Sequence, residues 1–403
     1  MGCKIKRTWS VLIGALLLCA TTLQMHAATV TVTNTNDSSP GSLRQALTTA
    51  NDGDTITFAV TGTITLTSGG LPVTKNLTIS GPGADQLSVD GNQALLVLGI
   101  FPGKTATISG LTVKNGQIGI WNEQGTLAIS NCIVNLNSVG GLFNDHAALT
   151  ITSCIINGNA FYGLDNHTFD VPPPNDHALD QGFVTIDNTI ISGNSGPGVY
   201  NQGNLTIINS TLSGNSAGSA SDGGGISSGN FKAPGSSVTV INSTISGNST
   251  GDAGGGIDNV GGQFGGTIET GNTILNAGAS GENILNDGGT MTSDGYNVCS
   301  DDGGGFLNGP GDQINTDPLL GPLQDNGGPT LTHLPLPAAR RLTRAIRILL
   351  GRHSMISAAV AFIACSVVAS ISAQSRHSRG HGVQLRRRDQ LRPKSTEADA
   401  YTS

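Results

Sequence analysis

Residues 205–215 read LTIINSTLSGN and residues 238–248 read VTVINSTISGN. Four earlier stretches align with them without gaps: ATISGLTVKNG from Ala106, LAISNCIVNLN from Leu127, LTITSCIINGN from Leu149 and VTIDNTIISGN from Val184. A seventh, TIETGNTILN from Thr267, reads as carrying one extra residue. Successive starts of the first six lie 21, 22, 35, 21 and 33 residues apart. The short intervals define the unit, and the long ones contain insertions.

Positions one and three of each unit are apolar, as in Leu127 and Ile129 or Leu205 and Ile207, which is strand alternation with one buried face. Positions six and eight resume it, as in Cys132 and Val134 or Ser210 and Leu212. Between them stand Asn131, Asn188, Asn209 and Asn242. Asparagine tolerates the left-handed backbone that a tight corner requires, and its amide bonds to nearby backbone. A third apolar-x-Asn element recurs as Ile120-Trp121-Asn122, Leu142-Phe143-Asn144, Leu164-Asp165-Asn166, Val199-Tyr200-Asn201 and Ile257-Asp258-Asn259. Each unit therefore offers about three short strands.

Such a unit is too short to be a domain, yet it suits one turn of a coil whose strands pair in parallel at about 4.8 Å with their equivalents above and below. The expected fold is an all-β, right-handed parallel β-helix. Asn137, Asn159, Asn194, Asn215 and Asn248 share one position in it and are expected to form an amide ladder. Propeller blades need about 40 residues. A leucine-rich solenoid would need a helical segment that these units lack.

Composition agrees. The chain has 58 glycines in 403 residues, 12% charged and 4% aromatic residues, with no collagen period. A formal net charge of −7 hides segregation: residues 28–336 hold five basic against 24 acidic residues, a net of −19, and residues 337–403 hold 12 basic against three acidic. An acidic body disfavours nucleic acid and anionic membrane as partners.

The ends carry their own signals. Lys4, Lys6 and Arg7 precede an apolar run from Trp9 to Ala20, and Ala27 and Ala28 follow, the layout of a secretory signal peptide over 1–27. Residues 28–105 are read as the N-terminal cap and first coils, in which Leu43, Ala46, Leu47 and Ala50 lie at helical spacing. Residues 106–300 are the repeats and 301–337 a C-terminal cap. Cys132, Cys154 and Cys299 remain once the signal and tail are set aside, an odd number that makes no disulfide framework. Cys132 and Cys154 occupy one inward position on successive coils, as a disulfide or as stacked thiols.

GSLRQALTTANDGDTITF, residues 41–58, resembles the N-terminal capping segment of bacterial secreted right-handed β-helix proteins that carry a CSLREA-type region. The NSTISGN and GGGIDN elements resemble the repeats of polymorphic outer membrane proteins, and residues 316–337 resemble the start of the choice-of-anchor segment of the same group. The resemblance implies a pectin lyase-like fold and an exported protein of the bacterial surface or exterior. It implies no activity.

That group continues with a sequence like GSPAIDAG, whereas this chain has AARRLTRAIRILLG and an uncharged run from Met355 to Ala373. Codons compatible with Pro337–Ala345, read one nucleotide out of phase, can spell GSPAIDAG. Two further family-like words follow in the same phase, at Met355–Ala359 and Val368–Ala373. Residues 338–403 are accordingly read as a frameshifted, non-native tail, and membrane attachment through residues 355–373 is doubted.

Candidate chemistry gathers in one place. Asp145 and His146 lie on one coil and Asp165 and His167 on the next, and the following insertion adds Asp170, Asp176 and His177. Carboxylates and histidines suit divalent cations or an acid–base pair, although a solvated loop held by its prolines explains them as well. A uronate lyase would need a strong base on the coil face, yet Arg44 sits in the cap and Lys114 is the only lysine in a repeat. Asp165 and Asp258 stand three coils apart, about 14 Å at the usual strand spacing, too far for one hydrolytic pair. The expectation is a monomeric structural or adhesive β-helix with no cofactor, beyond the weak prospect of a divalent cation such as calcium. Its expected partner is a polysaccharide or a host or neighbouring cell surface, with specificity in the insertions at 166–182, 217–237 and 249–265. The competing class is a polysaccharide lyase or glycoside hydrolase working beside the 166–182 loop.

Overall fold

A computed structural model describes residues 27–168, 182–218, 223–229, 235–251, 254–260, 266–328 and 330–336. Residues 1–26, residues 337–403 and much of the three insertions lie outside the described residues. The chain winds as a right-handed parallel β-helix. Three parallel sheets of 11, 10 and 9 strands, here A, B and C, run the length of the shaft, and each strand pairs with its counterpart one coil away. Sheet A begins at Thr29–Val32 and ends at Thr290–Gly295. Sheet B runs from Gly62–Thr65 to Val298–Cys299, and sheet C from Leu71–Val73 to Ile284–Asn286.

The alternation of the repeat becomes three aliphatic columns inside the shaft. On sheet A, Ile108, Ile129, Ile151, Ile186 and Ile207 stack rung on rung. Val134, Ile156, Ile191, Leu212 and Ile245 do so on sheet B, and Ile120, Leu142, Leu164, Val199 and Ile226 on sheet C. All are at most 1% exposed, and burying one such side chain contributes about 1.5–3 kcal/mol.

Corners follow from local backbone chemistry. Asn131, Asn188, Asn209 and Asn242 turn the chain from sheet A to sheet B at φ of 52–53°, and Ser153 and Asn272 take the same left-handed conformation. The next corner uses Gly158, Gly193, Gly214 and Gly247 at φ of 61–67°, but Leu136 at 56°. A leucine there is strained. Thr267 pairs with Ser237 and Ile268 with Val238. The seventh repeat therefore contains no extra residue; its alignment starts one position later, at Ile268.

Behind the second corner, Asn137 Nδ2 donates to Asn159 Oδ1 at 3.0 Å, Asn159 to Asn194 at 2.9 Å, Asn194 to Asn215 at 2.8 Å and Asn215 to Asn248 at 2.9 Å. Each Oδ1 also accepts the backbone N–H of the asparagine one coil earlier, as Asn194 does from Asn159 at 3.0 Å. A second buried amide column ends the strands of sheet C: Asn122 donates to Asn144, Asn144 to Asn166 and Asn166 to Asn201, at 2.8–2.9 Å.

The two ends differ. Helix α1, Leu43–Thr49, buries Leu43, Ala46 and Leu47 and is N-capped by Ser42. Arg44 ties it to the shaft through Asp37 and the carbonyls of Gly69 and Gly70. Burial works to raise the Asp37 carboxyl, but hydrogen bonds from Ser68, Arg44 and Thr67 hold it well below the usual carboxylate range. At the other end, Leu320–Gln324 and Thr332–Pro335 form an antiparallel hairpin. It lies against sheet B, where Leu320 packs on Ile274 and Val298 and His333 Nε2 meets Ser213 Oγ at 2.9 Å.

Candidate functional site on the outer face of sheet C

In the apolar-x-Asn element, the apolar residue and the asparagine point into the shaft, so the middle residue faces outward. The parallel register places Trp121, Phe143, Asp165, Tyr200, Ser227 and Asp258 on consecutive rungs of one outward column. Two residues further along the same strands, Glu123, Asp145 and His167 form a second column. Nothing in the fold demands these residue types, and they change from coil to coil.

Together they build an aromatic platform set with acids. The rings of Trp121 and Phe143 meet edge to face with centroids 5.3 Å apart, and Phe143 and His167 lie 5.2 Å apart, tilted by 34°. Beside them, Tyr162 meets the 62%-exposed Phe161 at 6.1 Å. Asp165 has Phe143 on the rung before it and Tyr200 on the rung after it. The residue is only 5% exposed although it faces outward.

The polar partners are unevenly supplied. Asp145 Oδ1 lies 2.6 Å from His146 Nδ1. Asp165 Oδ1 faces His167 Nδ1 at 3.6 Å, too far for a hydrogen bond, and is buried with no hydrogen-bond partner; the indole Nε1 of Trp121 is likewise buried and unpartnered. Burial pushes the Asp165 carboxyl above its ordinary range, with His167 opposing the shift and the charge of Asp145 adding to it. Burial, and then the charge of Asp165, pushes the Tyr162 phenol up. Orphaned buried polar atoms are costly, and Trp121 Nε1 and Asp165 Oδ1 are two of them on this face.

Of the candidates read from the sequence, Asp145, His146, Asp165 and His167 come together here. Asp170, Asp176 and His177 lie outside the described residues. Asp258 shares the column of Asp165 but stands three rungs away. Among the described residues, no three His, Cys, Asp or Glu side chains converge to hold a metal ion. Trp121, Phe143, Tyr162 and Tyr200 were missed as site residues. For Trp121, Phe143 and Tyr200 the signal was the variable middle position of an otherwise regular triplet; Tyr162, three residues before Asp165, stands outside that triplet. Cys132 and Cys154 are buried free thiols. Each Sγ lies 3.3 Å from a backbone carbonyl two residues back, that of Ser130 or Thr152. Further along, this column passes to hydroxyls: Thr189 Oγ1 accepts from Cys154 N, and Ser210 Oγ from Thr189 N.

No family model and no curated protein matches the sequence. Among solved structures, the chain is similar to a pectate lyase, Pel9A, at 16% identity and a TM-score of 0.44, over 71% of this chain and 77% of that one. An alginate lyase from Paenibacillus sp. str. FPU-7 is similar at 15% identity and a TM-score of 0.39, over 66% and 98%. The A-module of the mannuronan C-5 epimerase AlgE6 from Azotobacter vinelandii matches at 14% and 0.35, over 66% and 81%. Likeness at this level extends to the parallel β-helix and no further.

Proposed function

We propose that this is an exported bacterial β-helix protein that binds uncharged polysaccharide along the outer face of sheet C. The observation that carries the reading is the aromatic column Trp121–Phe143–Tyr200, interrupted by the buried Asp165 and flanked by Tyr162. Aromatic faces stack on the C–H faces of sugar rings, and rungs about 4.8 Å apart offer such a surface at a regular interval along an extended chain. Acids beside the rings suit sugar hydroxyls as hydrogen-bond donors. The same acids, on a body of net charge −19, repel polyuronates. Export rests on the three-part layout of residues 1–27, and kinship with polymorphic outer membrane proteins rests on the NSTISGN and GGGIDN motifs. Adhesion to a glycan-bearing host or neighbouring surface would be the use of such a rigid shaft.

Affinity electrophoresis of the purified protein in neutral glucans, mannans and xylans, with polygalacturonate as the anionic control, tests this. Retardation is expected in at least one neutral polymer and none in polygalacturonate. Trp121→Ala and Phe143→Ala should each weaken binding about tenfold or more, on the scale of about 1–2 kcal/mol per lost aromatic contact. Binding to none of the neutral polymers, or binding indifferent to both substitutions, would overturn the reading.

A further inference from the structure

Four residues on two neighbouring rungs form a square block: Phe143 pairs with Asp165, and Asp145 with His167. One diagonal is filled by the Phe143 and His167 rings, 5.2 Å apart. The other diagonal places Asp145 and Asp165 on opposite sides of that platform. One strand spacing across and two residues along separate their backbones by about 8 Å, with both side chains on one face. The two carboxyls differ in setting. Asp165 is buried, its Oδ1 without a hydrogen bond and 3.6 Å from His167 Nδ1, whereas the Asp145 side chain is 22% exposed and held by His146. Side chains of equal length on one face, rising from backbones about 8 Å apart, suit the carboxyl separation of about 6.5–9.5 Å with which a pair of acids in unlike surroundings cleaves a glycosidic bond with inversion.

We propose that Asp165 and Asp145 are the acid and the base of glycosidic-bond hydrolysis on the polysaccharide bound to sheet C, with inversion at the anomeric carbon. The inference rests on the binding reading above. A sugar stacked on Phe143 and His167 has one carboxyl at either side. Asp165 gives its proton to the glycosidic oxygen as the bond from that oxygen to the anomeric carbon breaks and its electron pair stays with oxygen. Asp145 takes a proton from a water whose oxygen bonds to the opposite side of the same carbon. The products are an alcohol and a hemiacetal of inverted configuration. The carboxyls have exchanged protonation states, and solvent restores them. Asp165 also faces His167 and Tyr162 on its own strand, Phe143 and Asp145 on the previous coil and Tyr200 on the next. Activity should therefore fall on the alkaline side as Asp165 loses its proton.

The test uses whichever neutral polysaccharide retards the protein most. Reducing-end release is measured for the unaltered chain, Asp165→Asn, Asp145→Asn and, as a control on sheet A, Asp187→Asn, and the anomer first released is read by proton NMR. The expected result is hydrolysis with inversion. Asp165→Asn and Asp145→Asn should each lower it on the order of 10²–10⁴-fold while binding stays within a few-fold, and Asp187→Asn should not change it. A polymer that is bound but never cleaved sinks the hydrolysis and leaves the binding reading intact. Retention of configuration, or cleavage undiminished in Asp165→Asn, sinks it as well. Absence of binding to every polymer removes both readings together.

Discussion

The outer faces of sheets A and C sit on the same shaft, separated by one corner of each coil, and they differ in kind. Sheet A presents Thr55, Thr78, Thr107, then Ala128, then Thr150, Thr185, Thr206 and Thr239 in a single column. Among the described residues, no protein group holds the hydroxyls of Thr107, Thr150, Thr185, Thr206 or Thr239. Sheet C presents rings, acids and imidazoles that bury and polarise one another. Strand-forming, water-tolerant threonine is what a solvated β face takes by default. An outward column that departs from that default, and leaves buried polar atoms unpaired, bears a cost that the fold does not require. Such departures concentrate at functional sites.

The largest expected effect lies beneath both faces. Asn194→Ala strands the backbone N–H of Asn159, which donates to Asn194 Oδ1 at 3.0 Å, removes the 2.9 Å bond from Asn159 Nδ2, which keeps only its bond to the Val134 carbonyl, and takes away Asn194's own donation to Asn215. At about 1–3 kcal/mol for each buried unsatisfied group, urea denaturation should show a loss of about 3–5 kcal/mol. A loss below about 1 kcal/mol would mean that the amide column is incidental to the shaft.

Asp165→Asn should move stability the other way, in a manner that depends on pH. A carboxyl whose folded value is raised keeps its proton in the folded chain after the unfolded chain has lost it. The unaltered protein should therefore lose stability as pH rises above about 4, until the folded group itself ionises. The substitution removes that slope, so its melting temperature should exceed that of the unaltered protein at pH 7 and approach it near pH 4. Equal melting temperatures at both values would show that Asp165 is no more frustrated than a sheet A threonine.

Smallest of all should be Thr185→Val combined with Thr206→Val, which exchanges hydroxyls for methyls on the plain face. Stability should stay within about 0.5 kcal/mol, and retardation by polysaccharide should not change. A loss of binding comparable to that of Phe143→Ala would make sheet A the glycan face and reverse the comparison.

The coil was readable because its causes are local and periodic. Alternating Leu127 and Ile129, the corner at Asn131 and the amide at Asn137 each state a requirement that recurs in every unit. Pairing in register turns such recurrence directly into columns. The site was only partly readable, for the opposite reason. Asp145, His146, Asp165 and His167 stood out by chemistry, but Trp121, Phe143 and Tyr200 differ from one another and lie in strands 22 or more residues apart, so no motif unites them. Asp165 is buried although it faces outward, and sequence spacing alone does not reveal what packs over a side chain. The apparent extra residue at Thr267 arose because Thr267 occupies the slot before the repeat's first inward position, where residue type is loosely constrained.

Both amide columns run head to tail in one sense, each coil handing its N–H groups to the oxygen of the coil that follows. A shaft cut short at its carboxyl end therefore leaves its last turn with amide protons that no further coil receives, whereas one cut short at its amino end leaves only bare oxygens. The two ends of any fragment are unequal: one asks for donors and the other for a receiver.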